Sequence, residues 1–279
     1  MKNPYLPMLT KIEDIVIENE ARDIKTFKLS FIKKEDKENF TFLPGQFAEL
    51  SILGVGESPI GIASSPTEKD YLLFTVKRAG VVTTRLHRSE IGETIGIRGP
   101  LGNTYPLPDM DGKNVLIIGG GFAFTTLRST VKYILEKKNR EKYKNLTVIY
   151  GARTPGELIY KNELWEWEKL KELKTYITVD KANGDWQRHV GVVPAILKQV
   201  APTADNTIAL VCGPPIMIKY TLLALNELGF KPEQFFLSLE MRMKCGIGKC
   251  GRCNIGHKYV CKDGPVFSFA ELQKLPPEY

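Results

Sequence analysis

Four of the five cysteines in this chain fall close together, Cys245, Cys250, Cys253 and Cys261, in the run MKCGIGKCGRCNIGHKYVC. Their spacing, C-x4-C-x2-C-x7-C, constrains the chain more than any other feature, because four thiolates held so closely can enclose a metal centre. Gly246, Gly248 and Gly251 alternate with the first three of them. Glycine lets the backbone turn tightly and aim N–H groups at sulfur.

Three chemistries suit such a cluster. The C-x4-C-x2-C portion has the spacing of a plant-type [2Fe–2S] loop. Structural zinc usually takes its cysteines as C-x2-C with a distant second pair. Disulfides need an oxidising compartment, and the first residues, MKNPYLPMLTKIEDIVI, show no charged-then-apolar export pattern. The spacing favours [2Fe–2S] over zinc, and zinc over disulfides. A reducing, cytoplasmic location is expected, and the apolar runs are too short for a membrane span.

At 279 residues the chain can hold two domains with separate cores. Its formal net charge of +7 raises nucleic acid as a partner. Lys and Arg are scattered among Asp and Glu, however, so a solvated surface is the better reading and nucleic acid is discounted. Lys244, Lys249, Arg252 and Lys258 surround the cysteines and offer a face to an acidic, ferredoxin-like partner.

The pattern predicts a β-barrel plus α/β architecture. Lys25–Phe31, Phe47–Ile52, Tyr71–Lys77 and Thr94–Arg98 are short runs of strand-forming residues. Turns at Leu43-Pro44-Gly45, Ser65-Pro66-Thr67 and Gly99-Pro100-Leu101-Gly102 punctuate them. This antiparallel barrel spans 1–108. Strand–helix alternation follows over 109–239: strands at 114–118, 146–150, 175–179, 207–211 and 234–239, helices at 158–173, 193–200 and 216–228, and another ending near Lys138. That alternation implies a parallel sheet with helices on both faces. Residues 240–279 form a small C-terminal lobe, too short for a core of its own, so metal would organise it.

Gly119-Gly120-Gly121 follows a buried strand and opens a helix, where backbone N–H groups can bind pyrophosphate; a tight strand–helix turn is the plainer alternative. Val211-Cys212-Gly213-Pro214-Pro215 makes a second such turn at the end of a later strand. Cys212 is either a small buried apolar residue or a thiol beside reacting rings. In the barrel, Gly80-Val81-Val82-Thr83 precedes a short helical stretch, Thr84–His87, and could hold another pyrophosphate. Ser58-Pro59-Ile60-Gly61-Ile62 reads as a strand against which a flat ring could lie. His87, His189 and His257 form no catalytic constellation and are read as structural or surface residues, with His257 placed to tune the cluster.

The order of these pieces resembles the ferredoxin–NADP reductase superfamily. The final segment, ending Cys261-Lys262-Asp263-Gly264-Pro265-Val266-Phe267, is similar to the FAD/[2Fe–2S] subunits of anaerobic complexes: the sulfhydrogenase gamma subunit and its counterpart in anaerobic sulfite reductase, with the dihydroorotate dehydrogenase electron-transfer subunit as a relative. The resemblance implies that Cys245, Cys250, Cys253 and Cys261 ligate the cluster. It implies FAD contacts at Pro59, Ile60, Gly61, Ile62, Val76, Lys77, Gly80, Val81, Val82 and Thr83. Nicotinamide nucleotide contacts follow at Gly119, Gly120, Gly121, Arg153, Cys212, Gly213, Pro214 and Pro215.

Two departures stand out. The superfamily usually carries Arg, an aromatic and Ser where this chain has Ser58, Ile60 and Gly61, and its Gly-x-Gly-x-x-Pro reads Gly121-Phe122-Ala123-Phe124-Thr125-Thr126 here. The implied activity is electron transfer between NAD(P)H, FAD and [2Fe–2S], to or from a catalytic partner subunit of hydrogenase or sulfite reductase type. The alternatives are a nucleotide-independent FAD/[2Fe–2S] adaptor, a dihydroorotate dehydrogenase electron-transfer subunit, and a zinc-stapled interaction subunit.

Overall fold

The computed structural model describes residues 3–276, so the outermost ends of the first and last sequence-defined regions, 1–2 and 277–279, lie outside the described residues. Six antiparallel strands build the barrel: β1 (Met8–Ile17), β2 (Ile24–Phe31), β3 (Phe47–Ile52), β4 (Gly56–Gly61), β5 (Leu72–Lys77) and β6 (Thr94–Leu101), in the order β4-β3-β6-β1-β2-β5. Helices α1 (Lys34–Asn39) and α2 (Val81–His87) connect them. Ile12, Phe27, Leu29, Leu50, Phe74, Val76 and Ile97 are sealed inside. β1 has no counterpart in the sequence pattern. A bulge between Ile12 and Asp14 breaks its two-residue alternation, and only Thr10 and Ile12 along it are fully buried.

The second sheet is seven-stranded. Its parallel members are β7 (Asn114–Gly120), β8 (Leu146–Ala152), β9 (Leu173–Val179), β10 (His189–Val190), β11 (Thr207–Cys212) and β12 (Phe235–Ser238). They run β10-β9-β8-β7-β11-β12, and helices α3 (Phe124–Leu135), α4 (Lys137–Arg140), α5 (Lys161–Trp167), α6 (Val193–Val200) and α7 (Pro215–Glu227) link them. α5 is much shorter than the helix expected over 158–173. Leu158 and Ile159 are pulled into the core, and Tyr160 enters the helix from a left-handed φ of 56°. Trp167 is buried edge-on to Phe124, while Trp165 lies under the Arg188 guanidinium at 3.7 Å from its ring centre.

The cysteine segment carries a short hairpin, β13 (Asn254–Ile255) and β14 (Lys258–Tyr259), then α8 (Val260–Asp263), β15 (Val266–Ser268) and α9 (Phe269–Leu272). β15 pairs antiparallel with β12 and closes one edge of the seven-stranded sheet. Ile255, Val260, Cys261, Phe267 and Leu272 share a core with Leu225, Phe235 and Leu237. Metal is therefore not the sole organiser of this segment; its apolar residues are anchored in the neighbouring domain.

Barrel and sheet are bolted together at α3. The buried Arg128 guanidinium donates to the Ala63 carbonyl (2.8 Å) and pairs with Glu68 and Glu163, and the Ser129 hydroxyl donates to the Ser64 carbonyl (2.7 Å). Such charge-assisted bonds are stronger than neutral ones and fix the relative placement of the two sheets.

Candidate redox site

Inside the cysteine segment, backbone N–H groups converge on sulfur. Gly248 donates to Cys261 Sγ (3.1 Å), Lys249 and Cys250 to Cys245 Sγ (3.2 and 3.4 Å), and Cys261 to Cys253 Sγ (3.5 Å). Burial alone would raise the Cys245 thiol, but N–H groups of Ile247, Cys250 and Lys249 outweigh it and bring it down to about 6. Cys245 stands next to Cys250, and Cys261 next to Cys253 and close enough to Cys245 to feel its charge. Among the described residues no three His, Cys, Asp or Glu side chains are grouped to hold a single ion. Four thiols close together in one segment suit a two-iron cluster, and the N–H donors fit the charge its thiolates would carry. Cys253 and Cys261 are buried, whereas Cys250 faces solvent.

On the barrel, Pro59, Ile60 and Gly61 line half-open β4, with Ile60 opposite Ala48 and Gly61 opposite Phe47. Ile62 and Val76 point into the barrel core, so only their backbone is available to a ligand; the Val76 carbonyl already accepts from His87 Nε2 at 2.8 Å. Lys77 is exposed beside Asp23, 3.8 Å away. Gly80 precedes the first turn of α2, which begins at Val81, earlier than the Thr84 start read from sequence. The Thr83 hydroxyl accepts from the N–H groups of Ala79 and Gly80 (both 2.9 Å), so it builds this turn from within. Val81 is exposed and Val82 half-buried on the same turn.

The nucleotide signals lie at the point where the parallel sheet reverses its winding. β7 sits between β8 on one side and β11 on the other, and Cys212 is in register with Gly119. Open α/β sheets bind ligands in the crevice beyond such strand ends. Gly119 and Gly120 end β7, and Gly121 turns into the helix with open space where a side chain would stand. Ala123, at the position of a superfamily glycine, has φ −66° and ψ −11°, ordinary helical values that alanine adopts freely. Gly213 is half-buried and Pro214 and Pro215 are exposed at the crevice rim; Arg153 is exposed just after β8.

Barrel and crevice meet through Gly61, Thr126 and Cys212, residues that the sequence named separately but did not bring together. A Cβ on Gly61 would lie 2.3 Å from Thr126 Cγ2, so the threonine methyl occupies the room left by the glycine of β4. Thr126 Oγ1 lies 3.7 Å from Cys212 Sγ, and that thiol contacts the Ser238 carbonyl at 3.6 Å. Tyr105 is fully buried, with its hydroxyl beside Cys212, Thr126 and Ser238. Burial pushes Cys212 up to about 11, so it stands as a neutral thiol. Only the pairing of two departures, Gly61 and Thr126, could have signalled this junction in the sequence.

Residues 117–222 match the oxidoreductase NAD-binding domain family, and residues 240–273 match the iron–sulfur cluster binding domain of dihydroorotate dehydrogenase B. Over 280 aligned residues the chain is 38% identical to sulfhydrogenase 1 subunit gamma of Pyrococcus furiosus, covering 98% of this chain and 94% of that one. It is 35% identical to the probable dihydroorotate dehydrogenase B (NAD(+)) electron-transfer subunit of Thermococcus kodakarensis, over 91% of this chain and 94% of that one. The chain belongs to this family of electron-transfer subunits. Among solved structures, a chain of the NADH-dependent reduced ferredoxin–NADP oxidoreductase superposes with a TM-score of 0.75 at 27% identity, covering 100% of this chain and 95% of that one. Like the rest of this electron-transfer family, the chain is an oxidoreductase with a ferredoxin–NADP reductase-like fold, built for flavin, nicotinamide nucleotide and an iron–sulfur cluster. No helix among the described residues is long and apolar enough to cross a membrane.

Proposed function

We propose that this chain is the diaphorase-type subunit of a cytoplasmic redox complex, exchanging electrons between NAD(P)H and a catalytic partner of hydrogenase or sulfite reductase type. One observation supports the reading: the open barrel strand β4 meets the crevice between β7 and β11, with Gly61 touching Thr126 beside Cys212. The same strand reaches the cysteine segment through Glu57 and Arg98, which donates to the Cys245 carbonyl. Bound flavin supplies the interchange between two-electron hydride chemistry and single-electron transfer to iron.

The chain's own residues contribute position and exclusion. Pro59, Ile60 and Gly61 present backbone rather than an arginine clamp, so backbone groups of β4 and of the Gly80–Thr83 turn hold the flavin nucleotide. Gly121 and Gly213 leave room for a nicotinamide nucleotide at the ends of β7 and β11. Neutral Cys212 and the Thr126 methyl keep water from the junction, and no side chain there is needed to move a proton. Cys245, Cys250, Cys253 and Cys261 hold the cluster, and the solvent-facing Cys250 marks the edge from which electrons leave for a partner.

Protein purified without oxygen should contain iron, labile sulfide and flavin, with visible bands that bleach on adding NADH or NADPH. Bands that bleach with dithionite alone would replace this reading with the nucleotide-independent adaptor. Co-purification under the same conditions identifies the catalytic subunit.

A further inference from the structure

The Gly99-Pro100-Leu101-Gly102 turn belongs to neither the flavin strand nor the nucleotide crevice. Its surroundings give it another role. The end of β6 and the two residues after it grip the cysteine segment at both of its ends.

At the first cysteine, the Arg98 side chain is 3% exposed, and its Nη2 donates to the Cys245 carbonyl at 3.2 Å. Glu57 on β4 holds the guanidinium by two bonds, from Nε at 2.8 Å and from Nη2 at 2.6 Å, and Nη1 donates to the Pro4 carbonyl at 3.2 Å. A planar guanidinium held at both edges has no freedom to follow a moving loop. The next residue, Gly246, lies so flat on the barrel that a Cβ there would meet Leu101 Cδ1 at 2.6 Å.

Just past the last cysteine, Asn103 is bonded at every polar group except its carbonyl. Its backbone N–H donates to the Gly264 carbonyl (2.6 Å). Its Nδ2 donates to the carbonyls of Asp263 (2.9 Å) and Val266 (2.7 Å), and its Oδ1 accepts from the Val266 N–H (2.9 Å). Gly102 makes room for this, since a Cβ there would lie 2.6 Å from Pro265 Cδ.

We propose that Arg98 and Asn103 are positioning residues for the [2Fe–2S] cluster: they clamp the cysteine segment to the flavin barrel, and Arg98 sets a compensated positive charge against the carbonyl of a ligand. This rests on the reading of the four cysteines as cluster ligands. Groups outside the ligand set orient ligands and tune the metal, and a site is only as precise as the residues that support it. Charge beside the cluster also sets how readily it accepts an electron. Arg98 and Glu57 therefore act with opposite sign. Without the guanidinium, the Glu57 carboxylate is left uncompensated and the added electron is disfavoured; without the Glu57 charge, the guanidinium favours it.

The test compares full-length wild type with Arg98→Met, Glu57→Gln, Asn103→Leu and Asn103→Asp, all purified without oxygen. Iron, labile sulfide and flavin are counted per chain, the dithionite-reduced cluster is examined by EPR, and its midpoint potential is titrated. The midpoint should move negative in Arg98→Met and positive in Glu57→Gln, which a general loosening of the fold cannot produce. Asn103→Leu should release iron to a chelator on the order of tenfold faster at unchanged flavin content. Asn103→Asp, which keeps the acceptor for Val266 but sets an anionic oxygen against the carbonyls of Asp263 and Val266, should release iron at least as fast. A loaded cluster with the wild-type midpoint in both charge variants, or shifts of one sign in both, overturns the inference alone. Wild-type protein lacking iron and sulfide overturns the inference and the reading beneath it.

Discussion

In the cysteine loop, Gly248 and Gly251 hold φ values of 73° and 72°, a left-handed conformation that disfavours any Cβ. At the nucleotide crevice, Gly119 sits in a strand with ordinary backbone angles but has no space: a Cβ would lie 2.3 Å from the ring of Phe124. Phe124 cannot retreat, because it is fully buried and stacked on Tyr150 at 4.2 Å. The same residue type thus answers two demands, a dihedral in one region and close packing in the other. In the first region glycine aims N–H groups at sulfur. In the second it brings helix and strand together so that the crevice can form above them.

The largest test of the first region removes ligands. Cys253→Ala and Cys250→Ala should each abolish the bound iron and labile sulfide while flavin is retained. They should differ in stability. Cys253 is buried among Ile255 and Val260, and its truncation opens a cavity as well as losing metal; Cys250 faces solvent and its truncation loses the metal alone. Thermal unfolding followed by circular dichroism should therefore show the lower midpoint for Cys253→Ala. Equal midpoints would mean that metal, and not shared apolar packing, holds this segment in place.

The two uses of glycine separate under substitution. Gly119→Ala forces a methyl into a filled site and should cost about 1–3 kcal/mol in chemical denaturation, as overpacking does. Asparagine, being larger, should be worse there than alanine. Gly251 has nothing within 4 Å of where a Cβ would stand, so Gly251→Ala meets only the dihedral penalty, about 1–2 kcal/mol. Asparagine tolerates that dihedral, so Gly251→Asn should be milder than Gly251→Ala. A reversed order at either site would reassign the reason for that glycine.

The cluster was the most legible part of the chain, because ligand spacing is a local property written within a short run from Cys245 to Cys261. The alternation of strand and helix after Asn114 was legible for a similar reason, since buried parallel strands such as β7 and β11 are continuous apolar runs. What the sequence hid was non-local. β1 alternates poorly because its bulge re-aims its side chains, and α5 is cut short by Leu158 and Ile159 entering the core. The junction of Gly61, Thr126 and Cys212 joins three distant segments, each with a pattern of its own but none that says the three touch. Asn103 and Arg98 were equally invisible, since their partners lie at Cys245 and beyond Cys261.

The smallest expected effect concerns the barrel side of the comparison, where a histidine does by hydrogen bonding what glycine does elsewhere by absence. His87 closes α2 onto β5 through the Val76 carbonyl, and burial lowers its affinity for protons, opposed by that hydrogen bond. A base with a depressed native pKa favours folding while it is neutral. Its contribution is complete above the unfolded value near 6.5 and is lost as pH falls through the lower native value. His87→Gln keeps a donor for Val76 and removes the titration. Urea midpoints measured from pH 8 down to about 5 should fall more gently for this variant than for wild type. Parallel profiles would show that His87 contributes packing against Phe27, 6.1 Å away, without any coupling to protons.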